Sequence, residues 1–238
     1  MSSNEKIYSG KTKDIYTLPN GNLRLVFKDD VTGEGGVIDP GANTVIGQVE
    51  GKGRMSLAMT DYFFKQLHAA GIPTHLVSVD LEHNAMEVKR ADPPGKAISG
   101  TGGLEFICRT MAYGSFVRRY QKYIKETLQK LDYLVEITLK DDERGDPLIN
   151  DDAVVALGLL TRPQLEQAKD LTRRIARIVE ADLRDKELTL VDMKIEVGLI
   201  EDEVVLIDEV SADAMRVMDR DGKMLDHKTL YGILIPQG

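Results

Sequence analysis

The chain has 238 residues, 42% hydrophobic and 29% charged, which excludes a largely disordered chain and is enough for one large domain or two small ones. Its 31 basic and 39 acidic residues leave a net charge of −8, which argues against non-specific nucleic-acid or membrane-surface binding but still allows a local cationic pocket. The single cysteine, Cys108, excludes an intrachain disulfide and reads as a small buried hydrophobe.

In chain order, the first ninety residues read as β-structure around one helix. Two strands flank the turn Pro19-Asn20-Gly21-Asn22 and make a hairpin. Residues 29–47, rich in Gly, Asp and Asn, read as a long loop, expected to be a mobile lid over a site. Met59, Phe63, Leu67 and Ala70 mark one stripe of a helix over residues 54–70, which Gly71-Ile72-Pro73 stops. Strands follow over residues 74–79 and 85–89. The Pro- and Gly-rich stretch 91–103 reads as a crossing between two parts, 1–90 and 91–238. Beyond it come strands over residues 104–108 and 134–139. The longest helix, residues 162–183, has Thr161 and Gln164 placed for a capping box. Strands over residues 188–197 and 204–210 flank the turn Glu201-Asp202-Glu203. No apolar run approaches the ~18 residues of a membrane span and Met1-Ser-Ser-Asn lacks an apolar signal core, so a soluble, cytoplasmic protein is expected.

Three segments carry candidate chemistry. Gly10-Lys11-Thr12 has the ending of a P-loop, but Glu5 stands where the first glycine belongs and residues 14–18 alternate like a strand. The segment is therefore either a glycine turn laying Lys11 and Lys13, two residues apart and expected on one face, over a nucleotide, or a solvated hairpin. Asp192, Lys194 and Glu196 alternate with Val191, Met193 and Ile195, so one strand face is apolar and the other reads acid, base, acid. The next strand ends in Asp208-Glu209. Paired as a hairpin, the two strands bring Glu196 opposite one of these acids, a repulsive arrangement that a divalent cation between carboxylates and nucleotide phosphates relieves. An exposed, self-compensating strand face is the plainer alternative. Third, Arg109, Arg118 and Arg119 surround Gly114-Ser115, an arrangement suited to a phosphate or to a basic helix surface. His68, His75, His83 and His227 show no partner motif.

Taken together, Gly10-Lys-Thr-Lys-Asp-Ile-Tyr16, Gly51-Lys-Gly53, Ala70-Gly-Ile-Pro-Thr74, Glu105 to Arg119, Lys140-Asp-Asp142, Leu190 to Gly198 and Asp208-Glu-Val-Ser-Ala-Asp213 with Arg216 resemble, in collinear order, the SAICAR synthetase family. The resemblance implies an α+β fold of two domains, antiparallel sheets with packed helices, related to the ATP-grasp enzymes. It implies a nucleotide-binding lobe over 1–90 and a substrate- and metal-binding lobe over 91–238. It implies an ATP-dependent amide-forming ligase that uses Mg2+, joins L-aspartate to carboxyaminoimidazole ribonucleotide (CAIR) through an acyl phosphate, and works as a homodimer on small-molecule substrates. By the same resemblance, Lys11, Lys13, Lys89 and Lys140 match ATP contacts, and Glu196 and Asp208 match metal and nucleotide carboxylates. Arg109, Ser115, Asp213 and Arg216 match substrate contacts, with Asp192 and Lys194 facing the substrate's ribose or carboxylate. The chain departs from the family pattern at 31–36, Ser56-Leu57, Thr110, Ala212 and Val217-Met218. A related ligase with another acid or amine, and a non-catalytic nucleotide-binding module, are the alternatives.

Overall fold

The computed structural model describes residues 5–38, 44–95 and 102–236. The N-terminal part is a five-stranded antiparallel sheet of order β1-β2-β3-β8-β7, built from β1 (Lys6–Ser9), β2 (Lys13–Thr17), β3 (Leu23–Phe27), β7 (Leu76–Asp80) and β8 (Ala85–Val88). The expected Asn-Gly hairpin is the β2–β3 connection. The stretch 29–47, expected as a loop, instead holds β4 (Asp30–Glu34), β5 (Val37–Ile38) and β6 (Val45–Gln48) in a small sheet of order β5-β4-β6. Val31 is buried there, and Asp30 accepts a hydrogen bond from Gln48. Residues 39–43 of the expected lid and 96–101 of the expected crossing lie outside the described residues.

Helix α1 (Lys52–Ala69) follows. Its first turn offers no side-chain cap of its own. The Asp29 carboxylate takes that role, accepting from the N–H groups of Gly51 at 3.0 Å and Gly53 at 2.9 Å. Gly53 has to be glycine, because a Cβ there would lie 2.8 Å from the Phe27 carbonyl oxygen.

The C-terminal part is a second antiparallel sheet of order β10-β9-β11-β12, from β9 (Leu104–Met111), β10 (Lys130–Leu139), β11 (Thr189–Ile200) and β12 (Glu203–Ile207). Strand β13 (Met215–Met218) shares with β12 the far edge of β11, pairing with its first half while β12 pairs with its second. Of the short helices, α2 (Gly114–Tyr120) follows β9, α3 (Asp151–Ala156) precedes the long helix and packs on it, and α5 (His227–Leu234) packs on α1. The long helix, α4 (Arg162–Arg184), covers the sheet's apolar face. The expected capping box is present: Thr161 Oγ1 accepts from the Gln164 N–H, and Gln164 Oε1 accepts from the Thr161 N–H. Leu165, Ala168, Ile175 and Val179 of α4 pack against Phe106, Cys108, Met193 and Ile195 in one core. Burial pushes the Cys108 thiol up to about 12, in keeping with its reading as a small hydrophobe.

The two sheets are not separate bodies. Met59, Phe63, Phe64 and Leu67 of α1 belong to the large core, while Leu57, two residues before Met59, belongs to the smaller core of Leu25, Phe27, Met86 and Val88. Main-chain bonds join them too: Leu206 donates to the Pro73 carbonyl at 2.9 Å, and His75 donates to the Leu206 carbonyl at 3.0 Å. Among the described residues, no helix is long and apolar enough to cross a membrane.

Candidate active site

Strand β11 is the axis of the site. Its period-2 pattern sends Met193 and Ile195 into the core under α4 and turns Asp192, Lys194 and Glu196 to the other face. The register fixes their neighbours. Asp192 lies opposite Arg109 on β9 and Arg216 on β13, and Glu196 lies opposite Glu105 on β9 and Ile207 on β12. The face is therefore not an exposed, self-compensating surface. It is a part-buried array of charges with an arginine end and a lysine–carboxylate end.

At the arginine end, Arg109 is only 1% exposed. Its Nη1 donates to Asp192 Oδ2 at 2.8 Å, its Nε to Glu136 Oε2 at 2.7 Å and its Nη2 to Ser115 Oγ at 2.9 Å. Arg216 Nη1 donates to the same Asp192 Oδ2 at 2.9 Å. Gly114, at φ 53, lies under the Arg216 guanidinium, and a Cβ there would approach it to 3.3 Å. A cleft at this end is lined by Arg109, Ser115, Arg118, Arg119, Lys194 and Arg216.

At the other end, β12 stops at Ile207, and Asp208 takes a left-handed backbone (φ 65), which aspartate tolerates better than most residues. The expected meeting of Glu196 with an acid directly across the ladder is corrected by one residue, since Ile207 is the partner and Asp208 comes next. Lys13 reaches over from β2 to Asp208 Oδ1 at 3.0 Å and also pairs with Glu209. Lys140 Nζ donates to Glu196 Oε1 at 2.5 Å, and Lys194 Nζ to Glu105 Oε1 at 2.8 Å. Burial alone would lower the Lys13 and Lys140 ammonium groups. Asp208 and Glu209 around the first, and Glu196 beside the second, raise both above the usual lysine range. Burial raises the Glu196 carboxyl, and the nearby charge of Asp208 adds to the effect. Burial works against Asp208 ionisation as well, but Lys13 and Lys140 hold its carboxyl below the usual range.

This pair fits a magnesium ion. Glu196 and Asp208 feel each other's charge, and two carboxylates are the small number that magnesium takes when phosphate oxygens complete its shell. The mutual repulsion of Glu196 and Asp208 is the charge such an ion relieves.

The remaining expected residues are placed as follows. Lys11 sits in the turn before β2, not on the strand, so the alternation argument does not reach it. Its Nζ pairs with Asp142 at 2.7 Å, while Lys13 turns to Asp208 and Glu209. Lys89 is exposed just past the end of β8, where its N–H donates to the His75 carbonyl at 2.7 Å. Asp213 pairs with the buried Lys52, accepts from Ser56 Oγ at 3.0 Å and lies 3.6 Å from His227 Nδ1. Burial would push the Asp213 carboxyl up, yet His227 and Lys52 hold it well below the usual carboxylate range. The sequence missed Glu105, Glu136, Lys52, His75 and His227, and it named Glu209 only as an alternative to Asp208. Only Glu105 carried a readable signal, the alternation Glu105, Ile107, Arg109 along β9.

Against known proteins, the SAICAR synthetase family model matches residues 6–230. A phosphoribosylaminoimidazole-succinocarboxamide synthase of Clostridium tetani is 46% identical over 231 residues, covering 96% of this chain and 98% of that one. Among solved structures, a SAICAR synthetase in complex with ADP superposes with a TM-score of 0.83 at 26% identity, over 97% of both chains. The Ehrlichia chaffeensis phosphoribosylaminoimidazole-succinocarboxamide synthase gives 0.80 at 28% identity, over 94% of this chain and 90% of that one. The α+β architecture expected from the resemblance is the one observed, and with a match that runs almost from end to end, this chain belongs to the SAICAR synthetase family.

Proposed function

We propose that this protein is an ATP-dependent carbon–nitrogen ligase of purine biosynthesis that joins L-aspartate to CAIR, giving SAICAR, ADP and phosphate. The observation that carries the reading is the two-ended charged face along β11, with ammonium groups and the Glu196 and Asp208 carboxylates at one end and guanidinium groups at the other. A carboxylate is a poor electrophile, because displacing it would expel oxide. Transfer of the ATP γ-phosphoryl group to the CAIR carboxylate gives an acyl phosphate, and the aspartate amine then displaces phosphate and loses a proton. The chain has to gather anions and shield the acyl phosphate from water.

In this reading Lys11, Lys13, Lys89 and Lys140 bind ATP, Lys11 and Lys13 at its phosphates. Glu196 and Asp208 hold Mg2+, which when bound neutralises phosphate charge. Arg109, Ser115 and Arg216 form the ribonucleotide phosphate end, with Asp213 beside it. Asp192 and Lys194 orient the ribose and carboxylate between the two ends. The lobes 1–90 and 91–238 divide these tasks, the first serving mainly the nucleotide. The protein works as a cytoplasmic homodimer on small molecules and does not bind nucleic acid.

The test is ADP release with CAIR across a panel of amino acids. L-aspartate is expected to be preferred, and turnover with another amine alone would overturn the reading. A second expectation concerns subsites. Arg216→Ala and Ser115→Ala each raise KM for CAIR, through loss of roughly 1.5–3 kcal/mol of charge-assisted contact, and leave KM for ATP nearly unchanged. Equal weakening of ATP would place both residues in the wrong subsite.

A further inference from the structure

We propose that Glu136 is a positioning residue for the reaction, a carboxylate strut that aims Arg119 at the phosphate of the ribonucleotide and anchors the Arg109 keystone beside it. The inference rests on the function proposed above and concerns a residue with no expected role.

Glu136 stands on β10, opposite Ile107 of β9, and is buried. One oxygen, Oε2, accepts from Arg109 Nε at 2.7 Å and from Arg119 Nη2 at 2.6 Å. On the other side of Arg109, one oxygen of Asp192 accepts from Arg109 and Arg216 in the same manner. The result is a chain of alternating sign: Arg119, Glu136, Arg109, Asp192, Arg216. Two carboxylates tie three guanidinium groups together, so the cluster keeps one net positive charge and each arginine has a fixed orientation.

The division of labour within the chain follows from burial. Arg109 is enclosed, and three of its nitrogens already donate to protein oxygens, so it acts chiefly as a keystone. Arg119 and Arg216 keep access to solvent at the two sides of the cleft. A phosphate dianion is met by flanking guanidinium groups whose directions are set in advance, and Glu136 sets the direction of Arg119. Without Glu136, Arg119 would be a long exposed side chain that has to be ordered at the moment of binding. Arg109 would also lose one of its two charged anchors.

The test compares CAIR with the corresponding riboside, which lacks the phosphate, in wild type, Glu136→Gln, Arg119→Ala and the double variant. Wild type should prefer the nucleotide strongly in kcat/KM. Glu136→Gln should shrink that preference at least tenfold, through KM for CAIR, with KM for ATP and kcat at saturation within about threefold of wild type. Arg119→Ala, a change at an accessible side chain, should shrink it similarly even if Glu136→Gln folds poorly. The double variant should lose less than the product of the two single losses, because both act through one contact. An unchanged preference in either single variant, a uniform loss in kcat and both KM values, or full additivity would overturn the proposal. A wild type that does not distinguish nucleotide from riboside would instead overturn the assignment of this end of the site to phosphate, and with it the functional reading beneath.

Discussion

Asp208→Asn and Glu196→Gln are each expected to slow ADP release at least a hundredfold at saturating magnesium, with melting temperatures close to wild type. A hundredfold corresponds to about 2.7 kcal/mol of barrier, modest for groups proposed to hold the charge balance around a transferring phosphoryl group. The fold should tolerate both changes. Asparagine accepts the left-handed backbone at position 208 about as well as aspartate, and Lys13 keeps Glu209 as a partner. In Glu196→Gln the amide oxygen can still accept from Lys140, and the neutral side chain removes repulsion with Asp208 and Glu105. Steady-state kinetics alongside thermal melts separates the two effects. Activity near the wild-type level in either variant would remove that residue from the metal assignment.

Lys13→Met should be strongly destabilising. Lys13 is 7% exposed and stands between Asp208 and Glu209. Glu209 is itself buried, and without the ammonium its remaining partner among the described residues is Ser211 Oγ at 2.5 Å. Breaking a buried ion pair from one side typically costs about 3–5 kcal/mol, because the other charge stays behind. In a chain of this size that lowers the melting temperature by roughly ten degrees. Lys11→Met is the contrast. Its pair with Asp142 is half open to solvent, and exposed pairs contribute roughly 0–1 kcal/mol. The two lysines stand two positions apart, so equal melting temperatures for the two variants would refute the account of Lys13.

Much of this arrangement was legible in the sequence, where local pattern and burial agree. The helix stripe Met59, Phe63 and Leu67, the Thr161–Gln164 cap and the alternation along β11 all read correctly, because a period and a cap are properties of a few adjacent residues, whereas Ala70, expected on the stripe, falls past the helix end and is exposed. The small sheet over Asp30–Gln48 was not legible. Its strands are short and hold Val31, Thr32, Val37, Ile38, Val45 and Ile46, but the Gly, Asp and Asn around them break up that signal, and β4 pairs with β6 across a dozen intervening positions, so its order comes from tertiary pairing. Arg109 was legible as part of a site. That its charge is largely spent on Glu136 and Asp192 was not, since those partners come from strands β10 and β11 far along the chain. His227, Lys52 and Asp213 meet from three separate segments, and nothing in the sequence near any one of them announces the other two.

The placement of helix α1 bears on how this protein could be divided. A fragment ending near residue 90 would contain every strand of the first sheet and still fail to stand alone, because Phe63, Phe64 and Leu67 would face water where the second sheet and α4 now cover them. The complementary fragment would lack those three side chains and the Pro73–His75 main-chain partners of Leu206. Each half is thus the other's missing interior. Made separately, the halves should aggregate. Made together in one cell, they have the complementary surfaces needed to reassemble.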